Sequence, residues 1–260
     1  RRQADQLCHP AAPGGAKGGV NMDRVEEARA YLERDPVLHA NLLEILRRGS
    51  ADQLVVEPEG VLLHDGGCGA WMLAAEGAAA ERLLDQVPPD CDLFVGHNMG
   101  YFSLARTRLG LREQEICWSA AYLRPEPPPV RDFDGALRML DLSQAPWVLE
   151  HYSHTFADLT YMERAIERGM IGAFVRGMPA GFVGYHDEGS IGMLEVLPRY
   201  RRRGLGEVLQ RAAIGLALAR GQFPFAHIIA GNVASLALQR KLGMERSKTP
   251  LFWLMGKPND

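Results

Sequence analysis

Cysteine is scarce in this chain and poorly spaced for chemistry. Four occur in 260 residues, Cys8, Cys68, Cys91 and Cys117, and no two form a C-x-x-C pair. That excludes a disulfide framework and a cysteine zinc site, and reads as reduced, mostly buried thiols of a cytoplasmic protein. Long apolar runs are missing too. No stretch approaches the roughly 20 residues needed to cross a bilayer, and the first residues lack the apolar centre of a signal peptide. There is no excess of charge of either sign: the formal net charge is -3, which excludes a general nucleic-acid binder. Neither nucleic acid nor a membrane is therefore expected as a partner.

What is present, 47% apolar residues, suits one large or two small globular domains. Residues 1–21 are rich in Gly, Ala and Pro without a hydrophobic period and read as a disordered tail or cloning remnant, with Met22 as a natural start. From Asp23 to Arg48 helical spacing predicts two helices broken at Asp35-Pro36. Short apolar runs at 54–56, 61–64 and 70–74 predict a meander, followed by a helix at 78–87, a strand at 92–95, a helix at 100–109 and a strand at 115–123. Arg124-Pro125-Glu126-Pro127-Pro128-Pro129 can continue no element, so a boundary is expected there. Residues 22–124 then form an N-terminal α+β domain, 125–130 a linker and 131–260 a second domain. The latter should open with helical material from Phe133 to about Ser153, and Leu159 to Arg168 should be a helix capped by Asp158. Three antiparallel strands should follow.

Ile191 to Arg220 is the most informative stretch. Ile191, Met193, Leu194 and Val196 read as a strand, Pro198 stops it, Arg201-Arg202-Arg203-Gly204-Leu205-Gly206 makes a basic glycine turn, and a helix starts near Glu207. The free N–H groups and positive dipole end of a helix placed after such a turn suit an anion, above all phosphate. Neither the three spaced glycines of a dinucleotide turn nor the Gly-Lys-Ser/Thr of a Walker loop is present. Taken alone, the arginine cluster could equally be a solvated surface or a nucleic-acid patch.

Arg-x-x-Gly-x-Gly after a strand and a proline resembles the acyl-CoA pyrophosphate loop of the GNAT N-acetyltransferase superfamily. A second motif follows in the right order: Asn232-x-x-Ser235 and Lys241-Leu242-Gly243-Met244 resemble that superfamily's Asn-x-x-Ala segment ending in Leu-Gly-Phe. The resemblance covers residues 131–260. It implies an α+β fold, a mostly antiparallel GNAT-type sheet flanked by helices. The element order of 22–124 echoes it as a degenerate copy would, a tandem arrangement similar to the glycine N-acyltransferase-like branch.

The resemblance further implies an N-acetyltransferase that moves an acetyl group from acetyl-CoA, or another acyl-CoA, to a primary amine of a small molecule or amino acid without a metal. Alternatives are a protein lysine or N-terminal acetyltransferase and a non-catalytic CoA-binding regulatory module. Leu194, Val196, Leu197, Arg201, Arg202, Arg203, Gly204, Leu205, Gly206, Asn232 and Ser235 would bind the donor, with Arg199 also within reach of its outer phosphates. The Val196 backbone N–H would serve the acyl carbonyl. Glu195 is the candidate base, and strict period-two alternation places it on the face of Ile191 and Met193, opposite Leu194 and Val196. Where many family members carry an acidic tyrosine this chain has Gln239, leaving Ser235, Tyr185 or a water as the proton source. His151 and His154 are three apart without a third ligand, so they make a poor metal site. Trp147, Tyr152 and Phe156 fall where the family shapes its acceptor pocket and read otherwise as core, and His227 reads as a core histidine.

Overall fold

The computed structural model describes residues 21–153 and 157–256. Its elements run α1 (Met22–Leu32), α2 (Ala40–Arg48), β1 (Ala51–Glu57), β2 (Gly60–Asp65), β3 (Ala70–Ala75), α3 (Gly77–Leu84), β4 (Leu93–Gly96), α4 (Phe102–Leu109) and β5 (Glu113–Ala121). Then come β6 (Ala136–Met139), α5 (Ala145–His151), α6 (Leu159–Gly169), β7 (Ile171–Val175), β8 (Met178–Tyr185), β9 (Ile191–Val196) and α7 (Leu205–Ala219). The chain ends with β10 (Phe225–Ile229), α8 (Val233–Leu242), β11 (Glu245–Arg246) and β12 (Leu251–Met255). Among the described residues no helix is long and apolar enough to cross a membrane.

Two compact units result, and they do not follow the linear division expected above. The outer unit joins residues 21–121 to 225–256, and the inner unit is Tyr122–Pro224. The expected second domain of 131–260 is thus divided: β10, α8, β11 and β12 belong with the N-terminal elements. The outer sheet runs β1-β2-β3-β4-β12-β5-β10, with β11 also paired to β5. Packing explains why β12 is held there. It lies between β4 and β5, with Phe252 and Leu254 fully buried. Phe252 packs against Phe94, Tyr101 and Phe102. Burying such a ring contributes about 2–3 kcal/mol. Gly96 makes room for it, since a Cβ there would stand 2.0 Å from the Phe252 ring. One face of this sheet is filled by Leu32, Leu42, Ile45, Val61 and Leu63, the other by Leu62, Leu83, Phe94 and Phe252.

The inner unit is a four-stranded antiparallel sheet, β6-β7-β8-β9. Met162 and Ile166 of α6 and Val148 of α5 pack with Phe182 and Met193 on one face. On the other face the Tyr185 hydroxyl donates to the Ala213 carbonyl of α7 at 2.6 Å. The 15-residue α7 can bury a face, because Leu205, Val208, Leu209, Ala213 and Leu216 recur at helical spacing and are all buried. Asp158 caps α6 through the Tyr161 N–H, as expected. The helical expectation from Phe133 fails at its start: residues 136–139 are β6, because pairing with β7 from Ala136↔Phe174 to Met139↔Ile171 satisfies their backbone. The helix itself begins at Ala145.

Candidate functional site

The site is built on a bulge in β9. Between Gly184↔Gly192 and Phe182↔Glu195 the strand carries three steps against two on β8, and Met193 takes up the difference with φ +53. Such a bulge resets which side the next residues face. Before it, Ile191 pairs with Tyr185, whose hydroxyl reaches α7. After it, Val196 pairs with Gly181, where an added Cβ would meet Leu209 of α7 at 3.3 Å. Glu195 pairs with Phe182, which packs edge-on against Trp147 of α5 at 5.5 Å. Glu195 therefore shares a face with Met193 but not with Ile191, and the period-two expectation is corrected by one residue of bulge.

Glu195 is half-buried and accepts a hydrogen bond from the Ser153 hydroxyl at 2.6 Å. Among the described residues no arginine or lysine pairs with it, so the carboxylate is held by a neutral donor. Ser153 carries no sequence signal that could have found it, because the contact spans 42 residues.

Leu194 and Val196 face the other way, toward the start of α7, and a Cβ on Gly206 would lie 3.9 Å from each of their side chains. The Leu197 N–H donates to the Ala180 carbonyl at 2.9 Å, which makes Gly181 and Val196 a non-hydrogen-bonded pair. The Val196 N–H and C=O then point away from β8. Since β9 is the edge of its sheet, the N–H on that side is directed outward. The carbonyl accepts from Arg201 Nε at 2.8 Å.

A single helical turn, Pro198–Tyr200, leads into the basic turn. Arg202 stands at φ +63 and Gly204, the N-cap of α7, at φ +80. A Cβ at Gly204 would touch nothing, so the glycine is required by its left-handed backbone rather than by crowding. The Glu207 and Val208 N–H groups both turn onto the Gly204 carbonyl, while those of Leu205 and Gly206 precede the ladder. Arg199, Arg201, Arg202 and Arg203 are all exposed around this N-terminus. Two of them lie over the buried Tyr200 ring, Arg199 at 4.8 Å and Arg203 at 5.9 Å. Just behind, the buried Glu207 carboxylate accepts from Arg211 Nε and Nη2 at 3.1 and 3.0 Å. Exposed donors at the positive end of a helix are an arrangement that favours an anion.

Asn232 and Ser235 belong to the outer unit, whereas β9 and its turn belong to the inner one. Asn232 caps α8, accepting from the Ser235 N–H at 3.0 Å, so its amide oxygen is engaged in its own helix. Gln239 is buried, its Oε1 has no hydrogen-bond partner among the described residues, and it helps line a groove of about 500 Å³ beside α8. Tyr185 is removed from the acid candidates: its hydroxyl is tied to Ala213, and burial pushes its pKa up. His227 sits between the rings of Phe225 and Trp253. Trp147 and Tyr152 pack on the inner core, and His151 Nδ1 lies 2.8 Å from the Trp147 carbonyl. Cys8, His154, Phe156 and the tail expected at 1–21, Asn21 apart, lie outside the described residues; Asn21 itself caps α1. Among the described residues no cluster of three or more His, Cys, Asp or Glu could hold a metal.

With this geometry in hand, residues 171–253 match the model of the FR47-like protein family, a span from β7 to β12. The whole chain is similar in structure to a Drosophila protein (TM-score 0.70, 19% identity, 93% of this chain and 98% of that one). It is also similar to a GCN5-related N-acetyltransferase from Kribbella flavida (TM-score 0.54, 17% identity, 86% and 95%). A GNAT-family protein from Novosphingobium aromaticivorans gives a TM-score of 0.51 at 20% identity over 86% and 98%. No curated protein matches the chain in sequence. The fold is that of the GNAT superfamily, a mixed α+β architecture with mostly antiparallel sheets flanked by helices, as the strand, turn and helix motif implied.

Proposed function

We propose that the chain is an acyl-CoA-dependent N-acyltransferase, with acetyl-CoA as donor and a primary amine of a small molecule or amino acid as acceptor. The observation that carries this reading is the bulged edge strand β9. It turns Leu194 and Val196 toward a glycine-capped helix N-terminus while presenting Glu195 on the opposite face. The turn residues Arg201–Gly206 and the first N–H groups of α7 would hold the donor's diphosphate. The outward Val196 N–H is a donor available to an acyl oxygen as negative charge develops on it. Bound acyl-CoA supplies a thioester, whose carbonyl carbon is attacked by an amine. Glu195 would take the proton the amine loses as the new C–N bond forms and the C–S bond breaks.

CoA can leave as thiolate, its pKa being close to the ~8.5 of cysteine, so the reading does not need an acid at Gln239. A cytoplasmic setting suits this chemistry. The second reading, a non-catalytic CoA-binding module, is favoured by Gln239, which has no proton to give. The two separate experimentally. Acetyl-CoA should raise the melting temperature in both cases, whereas thiol release in the presence of small amines is expected only of an enzyme. Absence of any stabilisation at saturating acetyl-CoA defeats both; stabilisation without thiol release leaves the binding module. Release with peptides but not with small amines would move the acceptor to protein lysines or N-termini.

A further inference from the structure

The face of the inner sheet that carries Glu195 also carries a histidine of defined polarity. Trp147 packs edge-on against Phe182, the register partner of Glu195, and its ring centroid is 5.1 Å from that of His151. The Trp147 carbonyl can only accept, so the His151 nitrogen 2.8 Å from it, Nδ1, must carry the hydrogen. In the neutral ring Nε2 is then a lone-pair acceptor. Two residues on, the Ser153 hydroxyl holds Glu195 at 2.6 Å. The C-terminal end of α5 thus carries an imidazole beside the Trp147 ring and, two residues on, the hydroxyl that holds the Glu195 carboxylate. His151 and Glu195 are half-buried, Ser153 is exposed, and among the described residues no arginine or lysine forms an ion pair with Glu195 or a hydrogen bond with any of the three.

We infer that this face selects, as acceptor, a primary amine that carries a second N–H or O–H donor and no carboxylate, of the diamine or amino-alcohol class. Glu195 receives the reacting amine and His151 Nε2 accepts from the second donor. The inference rests on the transferase reading and narrows its acceptor. A carboxylate would meet Glu195 without a paired cation, and like charges brought together in a partly desolvated site repel. A monoamine would leave the Nε2 acceptor unmatched. His151 is a specificity-determining residue in this scheme, with no part in bond making.

The test is thiol release by the full chain with acetyl-CoA and four acceptors of similar size: 1,4-diaminobutane, 4-aminobutanol, n-butylamine and 4-aminobutanoate. The expected order puts the first two above n-butylamine by about tenfold in kcat/KM, the size of one hydrogen bond to a polar partner, with the amino acid last. His151→Asn keeps a donor for the Trp147 carbonyl and removes the remote nitrogen. It should erase the preference through KM, bringing 1,4-diaminobutane and 4-aminobutanol to the level of n-butylamine, with the melting temperature unchanged. His151→Gln, which can offer an oxygen near the lost nitrogen, should restore part of it. Calorimetric binding of 1,4-diaminobutane to the CoA complex, weakened in His151→Asn, gives a readout independent of turnover. Turnover with 4-aminobutanoate equal to or better than the diamine, or an unchanged preference in His151→Asn, overturns the acceptor inference alone. No thiol release with any acceptor overturns the transferase reading and this inference with it.

Discussion

The two halves of the chain repeat one element order and differ where chemistry is expected. In the first half a meander of three strands, β1 to β3, runs into α3 and then β4; in the second, β7 to β9 run into α7 and then β10. β3 pairs with β2 residue by residue without a bulge and is buried along its whole length. Its other edge is closed by β4, parallel to it. Its turn has Glu76 as N-cap, and α3 spans eight residues. β9 instead carries the Met193 bulge, forms the edge of its sheet, and passes through four arginines into a 15-residue helix. The same local plan is closed at both strand edges in one half and open at one edge in the other. An extra residue, an unpaired edge and a change of turn charge make the difference.

The comparison can be broken at several points, the largest effect first. Glu195→Gln should lower the transfer rate by about 10²–10⁴, the range for loss of a general base, with acetyl-CoA affinity unchanged by calorimetry. Equal turnover in the variant would take the base role from Glu195. In the sealed half, Gly96→Ala places a methyl carbon 2.0 Å from the Phe252 ring. It should destabilise the outer unit by about 1–3 kcal/mol in urea unfolding, with donor binding by the inner unit kept.

A smaller effect comes from pH. Burial pushes the His97 imidazole well below its ordinary pKa, with neighbouring His39 and His227 adding to it, and burial lowers His39 as well. Both rings therefore take up protons at lower pH in the folded chain than in the unfolded chain, where an imidazole titrates near pH 6.5. The unfolded state therefore binds more protons on acidification. The stability contributed by these rings is complete above about pH 6.5 and is lost as pH falls below it toward their folded values. Urea midpoints at pH 5 and 7.5 should differ, and His97→Leu should narrow the gap. The glycine pair gives the smallest effect. Gly204→Val forces a β-branched residue to φ +80 and should weaken acetyl-CoA binding about tenfold through strain of ~1–3 kcal/mol. Gly77→Val, at φ +52 in the matching turn, should cost the outer unit stability and leave donor binding alone.

The strand, turn and helix from Ile191 to Ala219 were legible in the sequence because their parts are local. A strand, a proline, a basic glycine turn and an amphipathic helix stand next to one another, and each carries its own signal. Helix ends were equally local, as the Asp158 cap of α6 illustrates. The facing of Glu195 was not legible, since alternation cannot reveal a single inserted residue whose evidence is the register of a neighbouring strand. β6 escaped for a similar reason: Ala136, Leu137 and Met139 satisfy helical spacing as readily as strand pairing, and β7 decides between them. Ser153 and His151 could not be ranked from the chain, because their meaning depends on Glu195 and Trp147 as neighbours in space. The partner of β12 was hidden too, since an apolar strand reads the same in either sheet.

That last pairing has a consequence for how the chain is made. The strand between β4 and β5 is supplied by residues 251–255, and the inner unit is threaded between Ala121 and Phe225 as an insertion. As synthesis proceeds from the N-terminus, the inner unit has all its strands while the half made first still lacks β10 and β12. The earlier half must wait with β4 and β5 as open edges, a template for wrong pairing. The half that is emitted first is thus the last to close.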